Sequence, residues 1–195
     1  MVSKKKLNIS SSELNTIKPI TDNQKEVFAS YEKGQNLFLY GVAGTGKTFI
    51  ALYNALKDVL DPKSPRERVY IVRSLLPTRD IGFLPGDEED KSYLYQVPYQ
   101  NMVRFMFQRG SDAEFDRLYT DLRNQGTIDF LSTSFLRGIT IDNGVIIVDE
   151  CQNLNFHELD TIMTRVGQNT RIVFAGDIQQ TDLTKTNDRN GILDF

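Results

Sequence analysis

Gly41-Val42-Ala43-Gly44-Thr45-Gly46-Lys47-Thr48 satisfies the pattern G-x-x-x-x-G-K-[ST] at every fixed position. Its flanks suit it. Asn36-Leu37-Phe38-Leu39-Tyr40 ahead of it is an apolar run fit for a buried parallel strand, and Phe49-Ile50-Ala51-Leu52-Tyr53-Asn54-Ala55-Leu56 behind it reads as a helix. A strand, a glycine loop and a helix start aim several backbone N–H groups and the positive end of a helix dipole at one point. In such a loop Lys47 reaches the β and γ phosphates and the Thr48 hydroxyl ligates Mg²⁺. Gly41, Val42, Ala43, Gly44, Thr45, Gly46, Lys47 and Thr48 are therefore the expected nucleotide-binding residues. A glycine-rich turn that binds nothing is the bland alternative.

Outward from the loop, the chain keeps alternating between the two periods. Residues 21–33 read as a helix with Val27, Phe28 and Tyr31 on one face. Arg68 to Arg73 is a second strand, and 74–92 has no clear period. Residues 99–108 read as a helix, and Ser111 with Glu114 form a capping box for another, with Phe115, Leu118, Tyr119 and Leu122 inward. Residues 127–131 are a short strand, and 144–149 the most apolar strand of all. Asn155 and Glu158 cap a further helix with Leu159, Ile162, Met163 and Val166 inward and Gly167 at its end. Residues 170–175 form the last strand. Strands alternating with helices predict an α/β, three-layer fold: a mainly parallel sheet with helices on both faces.

Composition bounds the rest. At 195 residues and 39% hydrophobic content the chain suits one packed domain. A net charge of −3 excludes a whole-protein basic field for nucleic acid, though not a local patch. The single cysteine, Cys151, excludes an internal disulfide and fits a reducing cytoplasm. No apolar run approaches the ~18 residues that span a membrane. Residues 1–14, with Lys4-Lys5-Lys6 and no apolar stretch behind them, read as a solvated tail rather than a secretory signal, with nucleic-acid contact as the minority alternative. His157 is a lone histidine at a helix start, so no metal beyond nucleotide-bound Mg²⁺ is expected.

Hydrolysis needs more than a phosphate loop. Val145-Ile146-Ile147-Val148-Asp149-Glu150 buries four apolar residues and then presents two carboxylates at a strand end. Asp149 is expected to hold Mg²⁺, and Glu150 to act as general base on the attacking water. Gly176-Asp177-Ile178-Gln179-Gln180 ends the last strand at the same sheet edge, where Gln180 could sense a γ-phosphate or the water. Solvated acids and a polar turn are the alternatives.

Together these motifs resemble the PhoH family of P-loop ATPases, related to superfamily-one helicases. Ile81-Gly82-Phe83-Leu84-Pro85-Gly86-Asp87 is similar to its G-F-L-P-G-D segment, and Phe135-Leu136-Arg137-Gly138-Ile139-Thr140 to F-M-R-G-R-T. Asp149-Glu150-Cys151-Gln152-Asn153 is similar to D-E-A-Q-N, Met163-Thr164-Arg165-Val166-Gly167 to L-T-R-I-G, and 176–183 to G-D-x-x-Q-x-D-L. The resemblance implies a RecA-like P-loop NTPase domain over 15–195, with ATP and Mg²⁺ as cofactors and ATP hydrolysis as the expected activity. It implies that Gln24 reads the adenine, although Thr21 and Gln24 equally form a capping box. It offers Arg137 and Arg165 as candidates to neutralise charge on the γ-phosphate, in cis or from a neighbouring subunit, against the alternative of surface ion pairs.

The chain departs from the family at four places, of which Cys151 for alanine is a small change. The segment after the second strand reads Arg73-Ser74-Leu75-Leu76-Pro77-Thr78-Arg79-Asp80 in place of R-P-A-V-E-x-G-E, Ile139 replaces an arginine, and the family's last strand and helix are expected to be missing after Phe195. Two functions compete. One is an ATPase acting on RNA or single-stranded DNA, with Tyr93, Tyr95, Tyr99, Arg104 and Arg109 as an exposed aromatic and basic set. For these, packing of an inserted helix is the alternative. Unwinding would need a second motor domain or a homo-oligomeric ring. The other function is a nucleotide-dependent switch with slow or no hydrolysis, and phosphotransfer to a small acceptor is a distant third.

Overall fold

The structure is a computed structural model that describes residues 9–73, 88–133, 136 and 138–177, with backbone alone over 88–94. Among the described residues five strands, β1 (Leu37–Tyr40), β2 (Arg68–Arg73), β3 (Ile128–Leu131), β4 (Gly144–Asp149) and β5 (Arg171–Gly176), make one sheet in the order β1-β5-β4-β2-β3. Every pairing is parallel. Parallel order puts all strand C-termini on one edge, and that edge receives the phosphate loop and the two carboxylates.

Helices α1 (Asp22–Glu32), α2 (Lys47–Val59), α3 (Glu88–Phe107), α4 (Asp112–Asn124) and α5 (Phe156–Met163) cover the sheet. β4 shows why both faces need covering. Its six residues are all buried, and the side chains alternate between two cores. Val145 and Ile147 join Leu52, Ala55 and Leu56 of α2, with Val103 and Met106 of α3. Ile146 and Val148 join Leu159 and Ile162 of α5, with Leu136 and Leu154. Burying each such aliphatic side chain contributes about 1.5–3 kcal/mol. The predicted three-layer α/β fold is the observed one.

Several local expectations are corrected. β1, expected as a buried strand, is only part-buried: among the described residues it lies at the end of the sheet, with Phe38 and Tyr40 exposed and Leu39 buried. A short apolar run looks the same at the centre and at the edge. Here Phe38 packs against Tyr40 and Phe174 instead of under a helix. Helix α3 starts at Glu88, well before the predicted 99, because Pro98 reads as a break yet lies inside the helix. Met163 is largely exposed, and α5 ends there with Thr164 as its cap, not at Gly167. The Asn155–Glu158 capping box is complete. The other two boxes are half-formed: Thr21 and Ser111 cap the N–H groups of Gln24 and Glu114, but those side chains reach back to Ile20 N and Gly110 N.

Residues 9–14, expected as part of a solvated tail over 1–14, pack against the domain. Ile9 is buried in the α2 core, Ser10 caps a 3-10 turn at Ser11–Glu13, and Glu13 pairs with Arg109 at 2.5 Å. The adjoining Asn15 donates to the carbonyls of Met106 and Phe105. Two apolar residues, Leu7 and Ile9, behind a lysine run are too few to set a period that would reveal this strap.

Candidate functional site

The phosphate loop joins the end of β1 to the start of α2. Gly44 and Gly46 sit at φ 78° and 83°, a left-handed conformation that glycine adopts without Cβ strain. Gly46 thereby caps α2 and leaves its first N–H groups facing the loop. Lys47 Nζ donates to the carbonyls of Gly41 and Val42 at 2.7 and 2.8 Å. Its ammonium thus lies over the loop, next to the helix start. Gly41 N donates to Gly176 O, tying the loop to β5.

Thr48 Oγ1 donates to Asp149 Oδ1 at 2.6 Å. This bond joins the first turn of α2 to the end of β4, and it places the two expected metal-binding groups together. Asp149 is buried, and its second oxygen accepts from the Tyr99 hydroxyl at 2.6 Å. Burial first, and then the Asp149 charge, push the Tyr99 phenol far above its usual range, so it stays a donor.

Glu150, the first residue past β4, adopts φ 51° and ψ 42°. A left-handed non-glycine residue costs on the order of 1 kcal/mol. The conformation breaks the strand and turns the chain into a 3-10 turn at Cys151–Asn153. Gln152 then folds back: its Nε2 donates to Glu150 Oε2 at 2.5 Å, and its Oε1 accepts from Asp177 N at 3.0 Å.

Gln24 lies beside the loop, with Nε2 3.4 Å from Thr45 O and Oε1 accepting from Ile20 N. Arg165 lies elsewhere. Its carbonyl accepts from Ile141 N, ahead of β4, and its Nη1 is 3.5 Å from Ile139 O. These contacts place Arg165 beside the segment that leads into β4, and none of them joins it to Asp149 or Glu150. Arg137 and Gln180 lie outside the described residues.

The exposed aromatic and basic set is corrected too. Tyr99 is buried. Tyr95 sits near Arg73, Arg104 pairs with Asp112 and Asp116 and lies over the Phe115 ring, and Arg109 pairs with Glu13. The Tyr93 side chain lies outside the described residues. Tyr95, Tyr99, Arg104 and Arg109 pack α3 and α4 onto the sheet and the N-terminal strap. Sequence reasoning missed the roles of Tyr99 and Gln152. The i, i+4 spacing of Tyr95 and Tyr99 marked one helical face, but nothing in it named Asp149 as the target.

The family model described as PhoH-like protein matches residues 16–195. Protein PhoH2 of Bacillus subtilis (strain 168) is 36% identical over 145 residues, covering 74% of this chain and 32% of that protein. Protein PhoH of Escherichia coli (strain K12) is 31% identical over 163 residues, covering 83% and 44%. The chain thus spans less than half the length of these curated relatives. Among solved structures, the SWI2/SNF2 ATPase core of Sulfolobus solfataricus, in complex with double-stranded DNA, shares the fold. Its TM-score is 0.50 at 13% identity, over 88% of this chain and 34% of that one. On the match over 16–195, the chain belongs to the PhoH family.

Proposed function

We propose that this chain binds ATP with Mg²⁺ and hydrolyses it, with RNA or single-stranded DNA as its effector. The observation that carries the reading is the Thr48–Asp149 hydrogen bond, which sets a phosphate loop against a strand-end carboxylate with Glu150 next in line. A hydroxyl and a carboxylate are hard oxygen donors of the kind Mg²⁺ takes, so the residues fit the ion. Thr48 and Asp149 would hold the ion, which would supply positive charge to offset that developing on the phosphate oxygens.

The chain's own groups divide the remaining work. The N–H groups at the start of α2 and the Lys47 ammonium bind the phosphates, with Lys47 leaving the loop carbonyls for phosphate oxygens. Glu150 takes a proton from water as that water attacks the γ-phosphorus and the bond to the ADP oxygen breaks. Gln152 occupies Oε2 of Glu150, which leaves Oε1 for the proton. Gln24, beside Thr45, is placed to meet the base end of the nucleotide.

Support for the nucleic-acid effector comes from the family's kinship with helicases, since Tyr99, Arg104 and Arg109 are already engaged. Arg165 can serve a γ-phosphate in the site of a neighbouring copy, as a homo-oligomeric ring would allow. No described helix is long and apolar enough to cross a membrane, and a cytoplasmic location is part of the reading.

The test is ATP hydrolysis with and without single-stranded RNA, beside Glu150→Gln. The expected result is turnover stimulated by RNA and reduced at least about 100-fold in the variant, with ATP binding kept. ATP bound through Lys47 without turnover would instead establish a nucleotide-dependent switch.

A further inference from the structure

We infer that Tyr99 is a positioning residue for the metal site, holding the Asp149 carboxylate so that α3 and the nucleotide site are mechanically joined. The inference rests on the reading of Asp149 and Thr48 as the Mg²⁺ site, and goes beyond it by adding a residue and an element.

The geometry is specific. Asp149 has one oxygen on Thr48 Oγ1 and the other on Tyr99 OH, both at 2.6 Å. Two donors from two different helices therefore fix the plane of one buried carboxylate. The Tyr99 ring is itself fixed: it is 2% exposed and lies edge-on to Phe130 of β3, with centroids 5.4 Å apart. A phenol has few rotamers to lose, so a buried ring is a stiff arm for its hydroxyl.

A second contact one helical turn earlier follows the same geometry. Tyr95 and Tyr99 share a face of α3 at i, i+4. The Arg73 guanidinium lies 5.9 Å from the Tyr95 ring, and Arg73 is the register partner of Asp149 across β2 and β4. Helix α3 thus rests on the C-terminal edge of the sheet at two adjacent strand ends. A displacement of α3 along its axis would move the Asp149 carboxylate away from Thr48. Satisfying a buried hydroxyl would by itself require one acceptor, and many carbonyls could serve. Using the metal-binding carboxylate makes the metal site report the position of α3.

The test is a Mg²⁺ titration of fluorescent ATP-analogue binding, read at equilibrium, for the wild type and Tyr99→Phe. Loss of an outer partner of a metal ligand lowers metal affinity on the order of tenfold. The expected result is a Mg²⁺ midpoint raised by about that factor, with analogue binding in EDTA unchanged. Ile162→Ala, which loosens α5 in the other core without touching α3 or the hydroxyl, should leave the midpoint where it is. A Tyr99→Phe midpoint within about twofold of the wild type overturns the inference. Wild-type binding that ignores Mg²⁺ overturns the metal-site reading instead. Incorporation of 3-fluorotyrosine at position 99 covers poor folding of the variant. Its ¹⁹F resonance should shift when Mg²⁺ is added to the nucleotide complex, and a resonance that does not move counts against the inference.

Discussion

Gln152 joins Glu150 to Asp177 through the two ends of one amide, donating to the carboxylate and accepting from the backbone N–H. The candidate base just past β4 is thereby fixed to the end of β5, the strand that leads toward Gln180. Replacing Gln152 by Leu removes both bonds and leaves the buried Asp177 N–H without this acceptor. That loss costs about 1–3 kcal/mol of stability. Misplacing the base lowers ATP turnover by roughly ten- to a hundredfold. Urea denaturation and steady-state hydrolysis, with ATP affinity measured alongside, check both halves. Unchanged turnover would show that Gln152 only fills space.

Gly176 makes the same connection visible from the other side. A Cβ built there lies 2.5 Å from Gln152 Oε1 and 2.6 Å from Cys151 Sγ. Gly176→Ala must therefore displace one of them, at a cost of about 1–3 kcal/mol for overpacking. We expect its loss of turnover to match that of Gln152→Leu, because both act by moving the same amide. In a double-mutant cycle the two effects should be non-additive. Additive losses would place the Gly176 effect elsewhere.

How far the sequence carried varies with the physics of each part. The central strand β4 was legible because six consecutive buried residues leave a continuous apolar run. The phosphate loop was legible because glycine spacing and Lys47 serve a local geometry. Asp149 and Glu150 were legible because a sheet edge is marked by where the apolar run stops. The edge position of β1 was not, since pairing order depends on contacts far along the chain. The two bonds that Tyr99 and Gln152 make to the carboxylates were hidden for different reasons. Tyr99 reaches Asp149 across 50 residues, and Gln152 depends on the left-handed turn at Glu150. The surroundings of Arg165 were not legible, because its place in a motif says nothing about which edge of the sheet it occupies.

Cys151 offers a probe of the buried turn. It is fully buried against α5 and the sheet, and burial, followed by the charge of Asp149, pushes its thiol up to about 12. The thiolate is the reactive species, so alkylation at pH 8 should run roughly a thousandfold slower than for a free thiol. The rate should climb about tenfold per pH unit between pH 8 and 10, with no plateau near the ordinary thiol value. Iodoacetamide labelling followed by mass spectrometry, with and without urea, reads this directly. Labelling at the free-thiol rate in native buffer would show that the turn opens readily.

Asp58 holds the edge of the sheet opposite the site, and its protonation should set the acid limit of stability. Its carboxylate meets Arg66 Nε at 2.6 Å and Arg171 Nη1 at 3.6 Å, and accepts from Ser64 Oγ at 2.6 Å and Tyr31 OH at 3.1 Å. Burial acts first and raises the carboxyl, but the hydrogen bonds from Arg66 and Ser64 with the charges of Arg66 and Arg171 outweigh it, so the net displacement is downward from 3.8. A carboxyl lowered in the folded state stabilises fully above its unfolded value and loses that contribution as pH falls through the folded value. Asp58→Ala strands two arginines near the sheet and should cost about 3 kcal/mol at pH 7. The gap between wild type and variant should stay constant from pH 7 to 5 and narrow only below about pH 4. Thermal denaturation across that range checks the sign. A gap that widens on acidification would mean that Asp58 is already protonated in the folded chain and that Arg66 finds its partner elsewhere.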